Sequence, residues 1–233
     1  MILYQPPDGY RYNSDSIFLY DFIARFSPKG RVLDVGCGVG ILGALIARDW
    51  PVQMHLIDKQ PEMIAYAKRN GTINGLAMET HTIDFADYAP SEPFEMIVSN
   101  PPFYDPAVTQ STHTHLNAAR YAHHLPLQEL IGGVKRLLRP RGYFLFVYDA
   151  KQIDAVLGQL SEAHLNPEAI RFVHPKADRD AKVAFVAARS QSRSMLKVWP
   201  PLIVFDARSR YRSEAQAAFR RADLHSITGA QSG

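Results

Sequence analysis

Near the middle of the chain, Met96-Ile97-Val98-Ser99-Asn100-Pro101-Pro102-Phe103 sets an amide, two prolines and an aromatic ring directly after an apolar run. An exocyclic amine on a base, or an amide, is a poor nucleophile because its lone pair is delocalised into the adjoining π system. The Asn100 side-chain carbonyl and the Pro101 carbonyl can each accept an N–H from such an amine. Those bonds favour the pyramidal, increasingly positive nitrogen of a transition state. The prolines restrict the backbone and so pre-aim the acceptors, and Phe103 offers a face for stacking a flipped base. Asn100, Pro101 and Phe103 are therefore the candidate catalytic residues, with Phe103 also a substrate contact. By itself Asn-Pro-Pro is an ordinary turn, so its meaning depends on what the rest of the chain builds around it.

Upstream, Val32-Leu33-Asp34-Val35-Gly36-Cys37-Gly38-Val39-Gly40 reads as a buried strand running into a glycine-rich turn and then a helix. Glycines here let the backbone turn sharply and approach a ligand where a Cβ would collide. The spacing Gly38-x-Gly40-x-x-Gly43, with Asp58 at the end of the next strand, also fits a dinucleotide site. Asp34 weighs against one, because a pyrophosphate would be repelled by a carboxylate at that point. Asp58 can accept both hydroxyls of a ribose.

The elements that must position these residues alternate short β-rich runs with helical stretches, which argues for βαβ units, a mostly parallel sheet and an α/β fold. Seven strands are predicted, near Val32–Val35, Gln53–Ile57, Glu79–Ile83, Met96–Val98, Tyr143–Tyr148, Ile170–Val173 and Val183–Ala187. Helices are predicted over Ile41–Arg48, over Pro61–Asn70 with Gly71 as the exit, and over Leu127–Leu138, stopped by an Arg139-Pro140-Arg141-Gly142 turn. Asn100 then follows the fourth strand, where an open α/β sheet has its ligand crevice. The run Leu196–Phe205 suits an edge strand interrupted at Pro200-Pro201. Residues 1–206 read as one domain and 207–233 as a basic polar tail whose last ten residues are mobile.

Composition limits the alternatives. The chain has 233 residues and a net charge of +3, but that charge is divided as −4 over residues 1–170 and +7 over 171–233. Such asymmetry points to a polyanion met by the C-terminal part, with Arg208, Arg210 and Arg212 as candidate contacts. The lone cysteine, Cys37, has no neighbours at zinc-finger spacing, and the chemistry needs no metal. No apolar run is long enough to span a membrane and the N-terminus has no export signal, so a cytosolic protein without an obligate protein partner is expected.

Asp34-x-Gly36-x-Gly38-x-Gly40 resembles motif I of the Rossmann-like methyltransferases that use S-adenosylmethionine (SAM). The resemblance implies that Asp34 helps hold the methionine end, Asp58 the ribose, and Asp84 and Phe85 the adenine, with Gly36, Gly38 and Asn100 also binding the cofactor. Leu137–Tyr143 is similar to the helix end and Pro-x-Gly turn before the fifth strand of these enzymes. The Asn100–Phe103 tetrapeptide resembles amino-methyltransferases acting on adenine N6, guanine N2 or glutamine N5. The opening Gln5–Ser16, together with Ala119-Arg120 and His123, is similar to the family that methylates N6 of the adenine beside the anticodon of a valine tRNA. In that family the N-terminal segment, here residues 1–30, folds over the cofactor site, and Arg120 is implied as a substrate contact. His124 departs from the pattern, standing where an acid is expected. Adenine-N6 methylation of tRNA is the leading expectation and guanine-N2 methylation of rRNA the runner-up; glutamine-N5 methylation of a release factor fits less well. From other classes, the glycine spacing leaves a nicotinamide-dependent oxidoreductase, and the basic half leaves a non-catalytic RNA-binding protein.

Overall fold

The computed structural model describes residues 1–7, 13–101 and 125–228. In chain order its elements are β1 (Ile2–Gln5), α1 (Ser14–Ala24), β2 (Gly30–Val35), α2 (Ile41–Asp49), β3 (Val52–Asp58), α3 (Pro61–Ile73), β4 (Met78–Thr82) and β5 (Phe94–Ser99). They continue as α4 (Leu127–Leu137), β6 (Leu138–Asp149), α5 (Ile153–Glu162), β7 (Leu165–His174), β8 (Val183–Ser190), β9 (Lys197–Val198), β10 (Leu202–Ile203), α6 (Ser213–Ala222) and β11 (His225–Thr228).

The main sheet has the order β10-β7-β8-β6-β5-β2-β3-β4, with β9 also paired to β7. Only β8 runs antiparallel to its neighbours, β6 and β7. The seven expected strands are all present, and the Leu196–Phe205 run forms β9 and β10, one on each side of Pro200-Pro201 at the sheet edge. That division follows from proline's missing N–H, which cannot join a ladder. Side chains along the central strands alternate between two cores. Val32, Met96, Val98, Leu145, Val147 and Phe185 face α1, α2, α3 and α6, whereas Leu33, Ile97, Phe144, Phe146 and Val186 face α4 and α5. With helices on both faces, the strands read as nearly continuous apolar runs.

Three expectations are corrected. The second helix does not leave at Gly71. It continues to Ile73, and Gly75 supplies the left-handed exit at φ +64°, while Gly71 sits so close to β4 that a Cβ would come 2.8 Å from Met78 Cε. The Arg139–Gly142 turn does not separate helix from strand. It is an irregularity within β6, whose pairing with β5 jumps from Leu138 to Tyr143 around Arg141 at φ +64°.

Nor do residues 207–228 form a loose tail. Helix α6 buries Ala215, Ala218 and Ala222 against the body, and Phe219 meets Phe18 of α1 edge-on at 5.4 Å. Strand β11 then pairs in parallel with β1, from Ile2 opposite His225 to Gln5 opposite Thr228. A stripe of alanines three and four apart buries little side-chain volume but lets two helices approach closely, so a polar-looking segment docks. Residues 229–233 lie outside the described residues.

Candidate active site

The order of the parallel strands reverses between β2 and β5, which opens a crevice at their carboxyl ends. Register sets what lines it: Asp34 stands opposite Leu56 and Val98, and Val35 opposite Ser99, so Asp34 and Asn100 sit on adjacent strand ends. The Ser99 hydroxyl donates to the Val35 carbonyl at 2.8 Å and ties the two strands together just before Asn100.

Left-handed backbone at Gly36 (φ +66°), Gly38 (φ +54°) and Gly40 (φ +81°) folds the turn after β2. Its start is anchored by the Gly36 and Cys37 N–H groups, both donating to the Ile57 carbonyl. The glycines differ in purpose. A Cβ on Gly36 would meet nothing within 4 Å, leaving open space for a ligand, whereas one on Gly40 would collide with Ala67 and one on Gly43 with Leu56. Gly43 therefore serves helix-to-strand packing.

The carboxylates are held by backbone donors. Asp58 accepts from Gly38 N–H at 3.0 Å on one oxygen and from Gln60 N–H at 2.9 Å on the other, which leaves lone pairs on both. Asp34, only 2 % exposed, accepts from Gly43 N–H at 3.0 Å. Burial pushes its pKa up to about 7; the Gly43 N–H opposes this and the charge of Asp58 adds to it. Two carboxylates converging in a buried crevice suit a ligand that brings a positive charge and hydroxyl groups.

Residues 14–164, well over half of the chain, match the model of the methyltransferase small domain family. The chain belongs to that family. Its nicotinamide alternative falls with this match. The chain is 27% identical over 156 residues to the tRNA1(Val) (adenine(37)-N6)-methyltransferase of Parabacteroides distasonis, an alignment covering 65% of each chain. It is 38% identical over 117 residues to ribosomal RNA small subunit methyltransferase C of Pseudomonas paraeruginosa, covering 48% of this chain and 32% of that one. The alignments thus span a third to two-thirds of the relatives' lengths. Among solved structures, one described as a predicted O-methyltransferase from Agrobacterium tumefaciens shares the fold at TM-score 0.70 and 17% identity, covering 92% of this chain and 99% of that one. The open Gly36 turn, the free lone pairs of Asp58 and the buried carboxyl of Asp34 fit the SAM that the Asp34–Gly40 motif implies. Among the described residues no helix is long and apolar enough to cross a membrane.

Asp84 follows β4 and is placed by two devices. Its carboxylate accepts from Ala86 N–H at 3.0 Å, and Arg136 of α4 donates to the Tyr88, Phe85 and Ala86 carbonyls, gripping the loop from beneath. The Phe85 ring is turned into the core rather than toward the crevice: it is buried, and a Cβ on Gly133 of α4 would lie 2.3 Å from its Cε1. Only its backbone remains for a ligand.

Asn100 carries a contact that sequence reasoning missed. Its Nδ2 donates to Ser16 Oγ at 2.8 Å, so the first turn of α1 fixes how the amide is turned. Beside Ser16, Asn13 caps α1 by accepting from Asp15 N–H, and burial raises the Asp15 pKa while Lys182 opposes the rise. The segment before α1 is also tied down, because Asn70 and Asn74 of α3 bracket β1: Tyr4 N–H donates to Asn70 Oδ1 at 2.8 Å and Ile2 N–H to Asn74 Oδ1 at 2.9 Å. Pro101 is buried at the exit of β5. Phe103, Arg120, His123 and His124 lie outside the described residues, as do Asp8–Tyr12 of the opening motif.

Arg208 and Arg210 are exposed, and Arg210 pairs with Asp206 at 2.8 Å. They follow β10, four strand positions from β5, or about 19 Å at ordinary spacing. That distance rules out contact with the group reacting at Asn100 but not with a more distant part of a large substrate.

Proposed function

We propose that the protein transfers the methyl group of SAM to the exocyclic N6 amine of an adenine in tRNA, at the position beside the anticodon of a valine tRNA. The observation that carries this reading is the oriented Asn100 amide. With Nδ2 committed to Ser16, Oδ1 is the atom left to accept from a target amine. SAM supplies an electrophilic methyl on its sulfonium. Asp34 holds the cofactor's ammonium, Asp58 its ribose hydroxyls, and the Asp84 loop its adenine, with Gly36 and Gly38 lending backbone approach. Asn100 Oδ1 and the Pro101 carbonyl then hold the amine's two hydrogens and favour the developing positive nitrogen, which requires no metal. Phe103 stacks the base and Arg120 contacts the RNA. The start of α1 beside Asn100 supports the reading, implied by the family resemblance, that the segment 1–30 folds over the cofactor site.

Affinity for RNA comes from the other end of the sheet edge. The Val204 and Phe205 N–H groups donate to the His174 and Pro175 carbonyls, so the loop bearing Arg208, Arg210 and Arg212 lies against the loop bearing Lys176, Arg179 and Lys182. Both loops sit on the carboxyl edge, with Lys182 close enough to influence Asp15 near Asn100. This arrangement forms a basic rim leading to the crevice, suited to phosphates of nucleotides flanking the target. An RNA substrate places the reaction in the cytosol.

Guanine-N2 methylation of small-subunit rRNA is the second reading, favoured by the 38% identity to the Pseudomonas paraeruginosa enzyme. Incubation of the protein with methyl-labelled SAM and either total tRNA or small-subunit rRNA, followed by nucleoside mass spectrometry, separates the two. Label in N6-methyladenosine from tRNA is expected; label confined to N2-methylguanosine from rRNA would replace the first reading with the second.

A further inference from the structure

On the face of the sheet opposite to Asp34 and Asp58, three potential metal ligands converge at the open edge. His55 of β3 pairs in register with Glu79 of β4, and Ile57 with His81, so the period of two brings His55, Glu79 and His81 onto one face. Glu79 Oε2 lies 3.4 Å from His55 Nδ1 and Glu79 Oε1 lies 2.9 Å from His81 Nε2. All three donor atoms lie within 4.8 Å of one another. Ligands about 2.0–2.1 Å from a tetrahedral ion stand roughly 3.3 Å apart, so little movement would close these around one ion.

The second observation concerns what the two imidazoles lack. His55 is 5 % exposed, and both His55 Nδ1 and His81 Nε2 are shut off from solvent without a formed hydrogen bond, although each has a Glu79 oxygen within 4 Å. A buried ring nitrogen left in this way costs free energy unless something binds it. The walls are aromatic, with Phe94 edge-on to His55 at 5.2 Å and Tyr88 5.3 Å from His81. Glu79 is 60 % exposed, which leaves one side open to water. Arg31, stacked over Phe94 and paired with Glu92 at 3.3 Å, is the nearby cation. Its charge opposes a dication's binding, so the ligand set must outweigh it.

The geometry points to a structural site for a divalent ion of the zinc class, held by His55, Glu79 and His81 with water completing the shell. Two histidines and one carboxylate form a known zinc ligand set. The ion clips the edge strand β4 to β3. It takes no part in methyl transfer, since these side chains point away from the crevice side of β3.

The test uses untagged full-length protein stripped by a chelator, with Zn²⁺ and Co²⁺ as probes. Equilibrium dialysis should find one Zn²⁺ per chain, and at 100-fold excess over Kd the thermal midpoint should rise by roughly 5–10 °C. Co²⁺ should give visible absorption bands. Glu79→Gln and His81→Gln, both on an edge strand with partly exposed side chains, should each weaken binding by more than the ~10-fold that loss of an outer-shell partner costs. A His123→Gln/His124→Gln variant should bind as wild type, and SAM affinity should not change with the ion. The proposal is overturned if no ion binds, if binding survives Glu79→Gln and His81→Gln, or if the paired change at His123 and His124 removes it.

Discussion

Asp34 gives SAM binding a pH dependence whose sign and size follow from its burial. In the ligand-free protein its pKa stands at about 7, raised from 3.8 chiefly by burial. A carboxyl in this state carries a proton over most of the acidic range, whereas an ammonium partner requires the carboxylate. The ionised fraction is about 3% at pH 5.5 and about half at pH 7, so SAM affinity should rise ~16-fold between them, or ~1.6 kcal/mol. The cofactor's own α-ammonium, with a pKa of about 7.7–8.0, stays charged throughout that window. Titration calorimetry at pH 5.5, 6, 6.5 and 7 measures the slope, and repetition in buffers of different ionisation enthalpy counts the proton released. Asp34→Asn keeps an acceptor for Gly43 N–H but should bind weakly and with a flat profile. The sign for stability is opposite. A folded pKa raised above the unfolded one contributes stability that is complete below pH 3.8 and lost as pH rises through 7. Ligand-free Asp34→Asn should therefore outlast wild type at pH 8, by at most about 4 kcal/mol. A pH slope for SAM that persists unchanged in Asp34→Asn would refute the role given to this carboxylate.

Four further outcomes are expected. Asp58→Ala should weaken SAM by ~1–3 kcal/mol through loss of charge-assisted hydrogen bonds, measurable in the same calorimeter. Ser16→Ala should lower kcat about fivefold, ~1 kcal/mol, with SAM affinity unchanged, because it frees the Asn100 amide to turn; an unaltered kcat would detach Ser16 from the site. Gly133→Ala should destabilise the fold by ~1–3 kcal/mol in denaturant titration, since its Cβ would overlap Phe85 and displace the Asp84 loop. Neutralising Arg208, Arg210 and Arg212 together should reduce tRNA affinity and flatten its salt dependence by about one unit of slope per lost phosphate contact; intact affinity would move RNA docking away from this rim.

What the sequence made legible was local. Asp34 through Gly43 is one strand-turn-helix unit in which the turn's needs are written as glycines, and Asn100 follows a strand built around the apolar run Met96–Val98. Ser16 acts on Asn100 from 84 positions away, through a contact that no periodicity signals. Helix α1 itself gives no amphipathic stripe, because Ile17, Phe18, Leu19, Tyr20, Phe22 and Ile23 are all buried. Phe85 shows the limit of placing a side chain by motif: Gly133, far along the chain, provides the gap into which its ring turns. In α6 the docking face is made of alanine, which composition cannot distinguish from a solvated helix. His55, Glu79 and His81 become neighbours only once the register of β3 against β4 is known, since a one-residue slip would send the two strands' ligands to opposite faces.

The most direct test is single-turnover methylation of tRNA by Asn100→Ala, with folding checked by thermal melting and SAM affinity by calorimetry. If the Asn100 amide accepts from the amine as its nitrogen becomes pyramidal, the rate should fall by about 10²–10³ while SAM affinity barely moves, because a preorganised acceptor used in the transition state has been removed. A folded Asn100→Ala protein that methylates tRNA at close to the wild-type rate would contradict the assignment of this crevice to amine methylation.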